Sequence, residues 1–537
     1  MQRIFLALLL FYPHFATTQT VSQAQPYLGE GGNTIYHLAA QGNNTIIGGS
    51  FSESLALADT ILQSRGEEDL FVLHQSPDKA DRLLLFGGSQ LEERLDGLAV
   101  AGDSALYLSG SFWETAVFGK DTLRAQLNPK ALFVMRRDLT GQLAWVHPLV
   151  GGRLKEAGTL ALTAEADLLV SGFFSDSLRV ADTTLYSDAQ TNAFALRFSP
   201  NGQLQWARSW GGTGNIRATH IACSPTNDLI YLTGFYDDEL HVKDTVLFAN
   251  TTDRDVFLLR LQPNGTAAWV EKAGGVFDEE PTALKVDSSG HPVLTGFLVG
   301  RMTLNGTVDI ESADGNEDFF VLRYRPDGRL HWAYALGGDQ LQSTTALTNK
   351  EENIYLAGRF QSNLTFGPFD RTANGLFDAF ILTMDTTGQF LDLWTAGSGD
   401  ALLAEALTTD SSGNLLLGGT YRGTPQFSPA STAPPLPTRS LFTGFRLKLA
   451  ADPVTSAYSR PGNALLRLYP NPVRETFQID GLSPNASVSI VDNHGRIRHT
   501  FRPGRIVFRV TTLPAGLYYV MVRDGKQLQV LPLMVAP

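Results

Sequence analysis

The chain has 537 residues, a formal net charge of −12, a single cysteine and 51 glycines. This length allows a large repeat domain followed by a small one. The acidic balance argues against a nucleic-acid partner, because such partners require clustered Lys and Arg. The lone Cys223 excludes an intrachain disulfide and a cysteine metal cluster.

The first 24 residues have the pattern of a secretory signal peptide. Arg3 supplies the positive start, and the apolar run after it is too short to span a bilayer. Two cleavage positions fit, after Ala16 and after Ala24, and residues 22–24 have the small-x-small form. We place the signal peptide at residues 1–24 and expect a soluble, exported protein that does not span a membrane.

A repeated unit organises residues 25–450. Its clearest copy, residues 193–212, has two strand-like halves around the turn Pro200-Asn201-Gly202 and ends in Gly-Gly. Two further features each recur seven times. One is a second repeated Gly that is followed eight positions later by an apolar residue, and the other is a repeated Phe. The Gly-Gly marks begin at Gly31, Gly87, Gly151, Gly211, Gly274 and Gly337, and Gly397-Ser398 is a degenerate copy.

Each unit predicts four short antiparallel strands, the pattern of a propeller blade. In the third unit they are residues 159–164, 168–174, 193–198 and 203–210. The seventh unit lacks a fourth strand, and residues 25–32 align with residues 205–212, a fourth strand and its Gly-Gly. We therefore predict an all-β fold, a seven-bladed β-propeller over residues 25–450 in which the N-terminal strand closes blade seven. The phrases VDSSGHPVLTGF and TDSSGNLLLGG resemble the SBBP family of propeller repeats, which implies an architecture and no activity.

A linker at residues 451–463 precedes a second domain at residues 464–537, which predicts a small antiparallel β-sandwich. LYPNP, VDNHGR and LPAGLYYVMV stand in the order seen in the C-terminal sorting domain of type IX (Por) secretion, which the segment resembles. The resemblance implies a Bacteroidetes-group source, the type IX machinery as a partner, and a secreted or cell-surface location. One departure is the ending LPLMVAP, where the family commonly has lysines. The residues that carry the motif are Tyr469, Pro470, Asn471, Pro472, Gly495, Leu513, Pro514, Gly516 and Tyr518.

Acidic residues follow the Gly-Gly marks, and Asp278, Glu279 and Glu280 are the densest group. Paired carboxylates there could serve glycoside hydrolysis or hold calcium, and a solvated acidic rim is the alternative. His220 and Cys223 are an odd number of residues apart on one strand, so alternation places them on opposite faces. We therefore expect no metal site from that pair, and no cofactor.

Trp113 and Tyr236 lie near the longer connections that follow the second strands. We predict that both are exposed and that they stack on sugar rings or dock a protein. The sequence thus favours a monomeric, exported, non-enzymatic binding or scaffold module for a surface glycan or protein. One alternative is a polysaccharide-degrading enzyme that uses the carboxylates at residues 278–280, and another is a rigid spacer without a ligand.

Overall fold

The protein is all-β, and the described residues contain no α-helix. Within them, no helix is long and apolar enough to cross a membrane. The computed structural model describes residues 19–57, 60–76, 79–88, 93–102, 105–118, 120–125, 129–250, 253–312, 315–366, 369–428, 431–450, 467–469, 473–480, 482, 486–492, 497–501, 507–524 and 527–535.

The strands follow the repeat, and we number the repeat units 1 to 7. The chain begins with β1 (Thr20–Tyr27). Unit 1 holds β2 (Asn33–Gln41), β3 (Asn44–Phe51), β4 (Ser54–Leu57), β5 (Thr60–Gln63), β6 (Asp69–Ser76) and β7 (Lys79–Gly88). Unit 2 holds β8 (Arg94–Ala101), β9 (Ala105–Trp113), β10 (Thr115–Phe118), β11 (Asp121–Arg124), β12 (Lys130–Asp138) and β13 (Leu143–Gly151). Unit 3 holds β14 (Lys155–Leu162), β15 (Leu168–Phe174), β16 (Ser177–Val180), β17 (Thr183–Tyr186), β18 (Asn192–Phe198) and β19 (Leu204–Trp210).

The later units have the same plan. Unit 4 holds β20 (Ile216–Cys223), β21 (Ile230–Tyr236), β22 (Glu239–Val242), β23 (Thr245–Phe248), β24 (Asp255–Leu261) and β25 (Ala267–Gly275). Unit 5 holds β26 (Glu280–Val286), β27 (Pro292–Val299), β28 (Arg301–Leu304), β29 (Val308–Glu311), β30 (Glu317–Tyr324) and β31 (Leu330–Leu336). Units 6 and 7 hold β32 (Gln342–Lys350), β33 (Asn353–Phe360), β34 (Asn363–Phe366), β35 (Phe369–Thr372), β36 (Asp378–Asp385), β37 (Phe390–Thr409), β38 (Leu415–Ser428) and β39 (Arg439–Ala450).

Four strands of each unit pair antiparallel in chain order, and we call them the first, second, third and fourth strands. In unit 3 they are β14, β15, β18 and β19, close to the predicted bounds. The long strand β37 serves twice, as the fourth strand of unit 6 and the first strand of unit 7. The remaining two strands of units 1 to 6 form a hairpin between the second and third strands, which the sequence analysis took for a loop.

The hairpins of units 2 to 6 meet the fourth strand of the preceding unit at its Gly-Gly mark. The hairpin strand β16 pairs with β13 at Gly151, β10 pairs with β7 at Gly87, and β28 pairs with β25. A Cβ atom at Gly87 would collide with the ring of Phe118, the apolar residue that follows Gly110 by eight positions. Two of the sequence registers are therefore the two sides of one contact between consecutive units.

The hydrophobic core is divided among the junctions between units. One cluster joins Leu169 and Ala193 of unit 3 to Ile216 and Leu232 of unit 4, and the other junctions have equivalent clusters. The first strands contact one another in order, β2 to β8, β14, β20, β26, β32 and β37, and β37 also contacts β2. The contacts therefore return from unit 7 to unit 1.

The N-terminal strand β1 pairs with β39 and supplies the fourth strand of unit 7. Its register differs from the predicted one, because Tyr27 occupies the place that Trp210 has in unit 3. The prediction aligned Gly31-Gly32 with Gly211-Gly212, and this alignment was wrong by three residues. The connection to the next first strand has the same length in both places, but the glycine pair lies later in the N-terminal one. The strand consequently begins at Thr20, five residues before the predicted start of the domain.

The other repeated glycine and the repeated Phe also form one contact. Each first strand has a β-bulge or a related irregularity opposite the second strand, just after the residue that pairs with this glycine. A Cβ at Gly296 would collide with the carbonyl oxygen of Glu280 and lie 2.5 Å from the Phe320 ring. The glycine is needed because both the bulged strand and the ring press against its backbone.

The Trp and Pro-Asn-Gly of the repeat fasten consecutive units together. The indole N–H of Trp206 in unit 3 donates to the carbonyl of Pro263 in unit 4 at 3.0 Å, and Gly265 lies against the ring. The same bond joins Trp145 to Pro200 at 3.0 Å. Trp269 and Trp332 bind the corresponding turns of units 5 and 6. We call this contact the Trp latch.

The C-terminal segment forms two further sheets that share one core. Phe477 and Phe508 of one sheet pack with Ile490 and Val520 of the other, as the predicted sandwich requires. Tyr519 of this domain packs against Phe390 of unit 6, with 6.5 Å between ring centres. The strands are β40 (Arg467–Tyr469), β41 (Thr476–Asp480), β42 (Ser487–Asp492), β43 (Ile497–Phe501), β44 (Val507–Arg509), β45 (Gly516–Asp524) and β46 (Gln527–Val535).

Candidate binding site

The carboxylates predicted as a functional group surround Arg254 of unit 4. The backbone N–H and the guanidinium of Arg254 donate to Asp278 at 2.9 and 2.5 Å, and Glu280 forms an ion pair with the same guanidinium. These hydrogen bonds hold the pKa of Asp278 below its usual value. Asp278 and Glu280 are thus bound to a cation of the chain itself.

Glu279 lies between these two residues in sequence and is fully buried. Its carboxyl group accepts the N–H of Gly275 at 2.9 Å, and burial raises its pKa to about 8. In the next unit Gln342 accepts the N–H of Gly338 at 3.0 Å in the same way. Glu279 therefore ties down a connection between units. Glu279 and Gln342 both stand five residues after the first glycine of a Gly-Gly mark, and this shared spacing is the sequence signal for their common role.

Tyr236 was predicted to be exposed, and this prediction was wrong. The side chain has 0% relative exposure and packs in the core between units 3 and 4. It is the second residue after Gly234, the position that is also fully buried as Phe174 after Gly172 and as Tyr421 after Gly419. Counting from the glycine rather than from the loop would have placed it correctly.

Trp113 is half-buried at the end of β9 in unit 2. The carboxylates at residues 278–280 lie at the junction of units 4 and 5, so the structure does not bring Trp113 together with them. His220 and Cys223 do not form a reactive pair. Burial lowers the pKa of His220 to about 4 and raises the pKa of the Cys223 thiol to about 12. Among the residues described above, no three His, Cys, Asp or Glu side chains are placed to share a metal ion.

A pocket of about 340 Å³ opens at the junction of units 7 and 1. It contains two carboxylates, Glu67 and Glu68, and one aromatic ring, Phe442, and no basic side chain lines it. The Ser50 hydroxyl donates to Glu68. The volume falls within the range of small-ligand pockets. The lining residues are Gly32, Asn33, Thr34, Ser52, Glu67, Glu68 and Phe442.

At the pocket, the junction of units 7 and 1 differs from two other junctions, which have an ion pair at the equivalent positions. At the junction of units 2 and 3, Lys130 lies 3.8 Å from Glu156, and Arg254 pairs with Glu280 at the junction of units 4 and 5. The strand registers place Phe442 where Lys130 and Arg254 stand, and Thr34 where the two acids stand. Asn33 forms the floor, accepting the N–H of Gly444 at 2.7 Å and donating to the carbonyl of Tyr27 at 2.9 Å.

Part of the predicted sorting motif lies within the described residues. Tyr518 is buried, and its hydroxyl donates to the carbonyl of Pro514 at 3.1 Å. The N–H of Leu513 donates to Val510 at 2.8 Å, and Gly516 begins β45. Tyr469 ends β40. Pro470, Asn471, Pro472 and Gly495 lie outside the described residues.

Residues 467–535 match the family model of the secretion system C-terminal sorting domain. The protein is secreted or held on the outer cell surface. The match supports secretion through the type IX system, in agreement with the motifs in the sequence.

The other comparisons are more distant. An uncharacterized WD repeat-containing protein of Acanthamoeba polyphaga mimivirus, L264, is 21% identical over 418 residues, covering 62% of this chain and 29% of the viral protein. The chain thus spans less than a third of that relative. PorZ, a surface component of the type IX secretion system of Porphyromonas gingivalis, is 10% identical with a TM-score of 0.22, covering 95% of this chain and 100% of PorZ. Trypanosoma rangeli sialidase is 8% identical with a TM-score of 0.24, covering 81% and 92%. These low TM-scores support no inference about fold or function.

Proposed function

We propose that units 1 to 7 are the blades of a closed seven-bladed β-propeller of SBBP-type repeats, and that the protein is a non-enzymatic glycan-binding module outside the cell. Two observations support the propeller: the first strands contact one another in a series that returns to its start, and β1 completes the last unit. The observation that carries the binding role is the pocket at the junction of units 7 and 1.

The chemistry of this pocket selects a ligand without negative charge. Glu67 and Glu68 accept hydrogen bonds from hydroxyl or ammonium groups, and the Phe442 ring offers an apolar face to a sugar or a cation. Arg422 lies 4.9 Å from the centre of that ring, but its charge is matched by Asp400 at 2.7 Å. Neutral sugars and amino sugars therefore fit, whereas acidic polysaccharides meet two carboxylates.

The carboxylates at residues 278–280 already have partners within the chain, which favours a binding role for the protein over catalysis. Glycoside hydrolysis needs two carboxyl groups that face one bond with different protonation states. Asp278 and Glu280 share Arg254, and Glu279 is buried against a backbone N–H. This arrangement supports the non-enzymatic role over the polysaccharide-degrading alternative.

The test uses the secreted full-length chain against neutral, amino and acidic glycans, with retention and new reducing ends both measured. We expect saturable retention of neutral or amino glycans without new reducing ends. Glu68→Gln should weaken retention tenfold or more, because it removes a charged acceptor. Glu317→Gln is the matched control, since Glu317 occupies the position of Glu68 in unit 5 but does not line the pocket. Equal loss in both variants would place the ligand elsewhere, and new reducing ends would favour the enzyme.

A further inference from the structure

The fourth strands of units 2 to 7 are built alike. In unit 3, Leu204 pairs with Phe198 and a β-bulge separates this pair from the next one. In β1, Val21 pairs with Leu449 and a bulge follows at the same place, before Gln23. The residues at the position of Val21 in units 2 to 6 are Leu143, Leu204, Ala267, Leu330 and Phe390. A complete fourth strand therefore starts at or before Val21.

The residues before Gln25 also make contacts of their own. Val21 has 0% relative exposure in the core of units 6 and 7, and its carbonyl accepts the N–H groups of Thr432 and Ala433 at 3.1 and 3.2 Å. The Ser22 hydroxyl donates to the carbonyl of Lys448 at 3.0 Å. A chain that started at Gln25 would keep only residues 25–27 of the eight in β1.

We propose that the export leader is removed at the bond between Ala16 and Thr17, so that the exported chain keeps the whole of β1. Hydrolysis of this bond consumes one water and leaves a carboxylate on Ala16 and a free amine on Thr17. The apolar run of the leader ends at Tyr12, four residues before Ala16 and twelve before Ala24. Ala16 supplies a small residue at the cleaved bond, close behind the apolar run. Ala16 and Thr17 themselves lie outside the described residues.

The direct test is mass spectrometry of the N-terminal peptide, after amine labelling, on full-length protein collected from the producing cells. We expect a labelled Thr17. A labelled Gln25 would overturn the proposal. This readout needs no ligand, so it is independent of the proposed glycan binding.

A second measurement compares leaderless chains that begin at Thr17, Gln19 and Gln25. We expect equal melting temperatures for the first two and a lower one, or no cooperative unfolding, for the third. Val21→Ala in the chain that begins at Thr17 gives a graded result if the shortest chain does not fold, and its melting temperature should fall by several degrees. Equal melting temperatures for all four proteins would contradict the need for a complete β1.

Discussion

In four units, a buried polar residue at the start of the first strand ties the unit to the connection before it. In unit 1 it is Asn33, in unit 3 Lys155, in unit 5 Glu279 and in unit 6 Gln342. The Lys155 ammonium donates to the carbonyl of Gly152 at 2.7 Å, and burial lowers its pKa to about 8. Different side chains can fill this position, since each of them forms at least one hydrogen bond to the backbone.

Replacing Glu279 with Gln should stabilise the protein above neutral pH. Burial raises the pKa of Glu279 to about 8, so the folded chain holds a proton that the unfolded chain releases above pH 4.5. This group therefore stabilises fully below about pH 4.5 and loses that contribution as pH rises to about 8. We expect Glu279→Gln to raise the free energy of unfolding by about 2 kcal/mol at pH 8 and to change it little at pH 5. Denaturant unfolding at the two pH values measures both.

The reciprocal variant is the control for this prediction. Gln342→Glu places an acid where Gln342 now accepts the N–H of Gly338 and donates to the carbonyls of Gln361 and Asn363. Relative to the wild type, Gln342→Glu should lose stability as pH rises from 5 to 8, whereas Glu279→Gln should gain stability over the same range. Parallel pH profiles for wild type and both variants would show that burial at this position does not control the charge.

The repeated Asp and the repeated Gly illustrate what could be predicted from the sequence. The Asp255 carboxylate fills the space where a Cβ of Gly274 would lie, and Asp69, Asp318 and Asp378 have the same relation to their glycines. In unit 2, where Ala131 replaces the Asp, Val150 replaces the Gly. Periodicity revealed the repeat units and their first to fourth strands, but not the additional hairpin. It could not reveal that the Asp side chain fills the space beside the Gly, because this contact depends on the register between two paired strands.

Among the structural elements, the turn between the third and fourth strands of one unit accepts hydrogen bonds from the unit before it. Pro263 accepts the indole N–H of Trp206 at 3.0 Å and a guanidinium N–H of Arg197 at 3.1 Å, both from unit 3. The repeat pattern predicts a hairpin within one unit at this turn, and the backbone forms that hairpin. The Trp latch is a contact between units, and the recurrence of its residues does not show which unit the indole contacts.

Substituting Trp206 by Phe should weaken the latch between units 3 and 4. The variant loses the bond to Pro263 and part of the ring volume, and we expect the free energy of unfolding to fall by about 1–2 kcal/mol. Trp113→Phe is the control, because Trp113 is half-buried and has no latch, and it should change stability by less than about 0.5 kcal/mol. Chemical denaturation measures both. An equal loss in the two variants would mean that the latch adds nothing beyond aromatic burial.

For the whole molecule, the chain divides into units that fold against one another and a separate sorting domain. Tyr519 links them by packing against Phe390 and the core between units 5 and 6. The sandwich could be predicted from short strands and turns, but this contact could not, because nothing in the pattern of residue 519 distinguishes it from the strand around it.

Deleting residues 464–537 should prevent delivery to the outside of the cell while leaving units 1 to 7 folded. The deleted segment contains the match to the sorting domain, and Tyr519 is a peripheral contact of the core that remains. Cell fractionation and immunoblotting measure the location, and protease resistance measures the fold. Truncated protein in the medium at the level of the full-length chain would contradict the role of the domain.

The pairing of β1 with β39 has a consequence for the order of events during synthesis. Gln23 and Arg446, which share a side-chain hydrogen bond, are separated by 423 positions along the polypeptide. A ribosome must therefore release almost the entire chain before its earliest strand can find a partner. Contacts of such long range form slowly. A nascent chain consequently remains open at this seam until the segment that contains Arg446 has been synthesised.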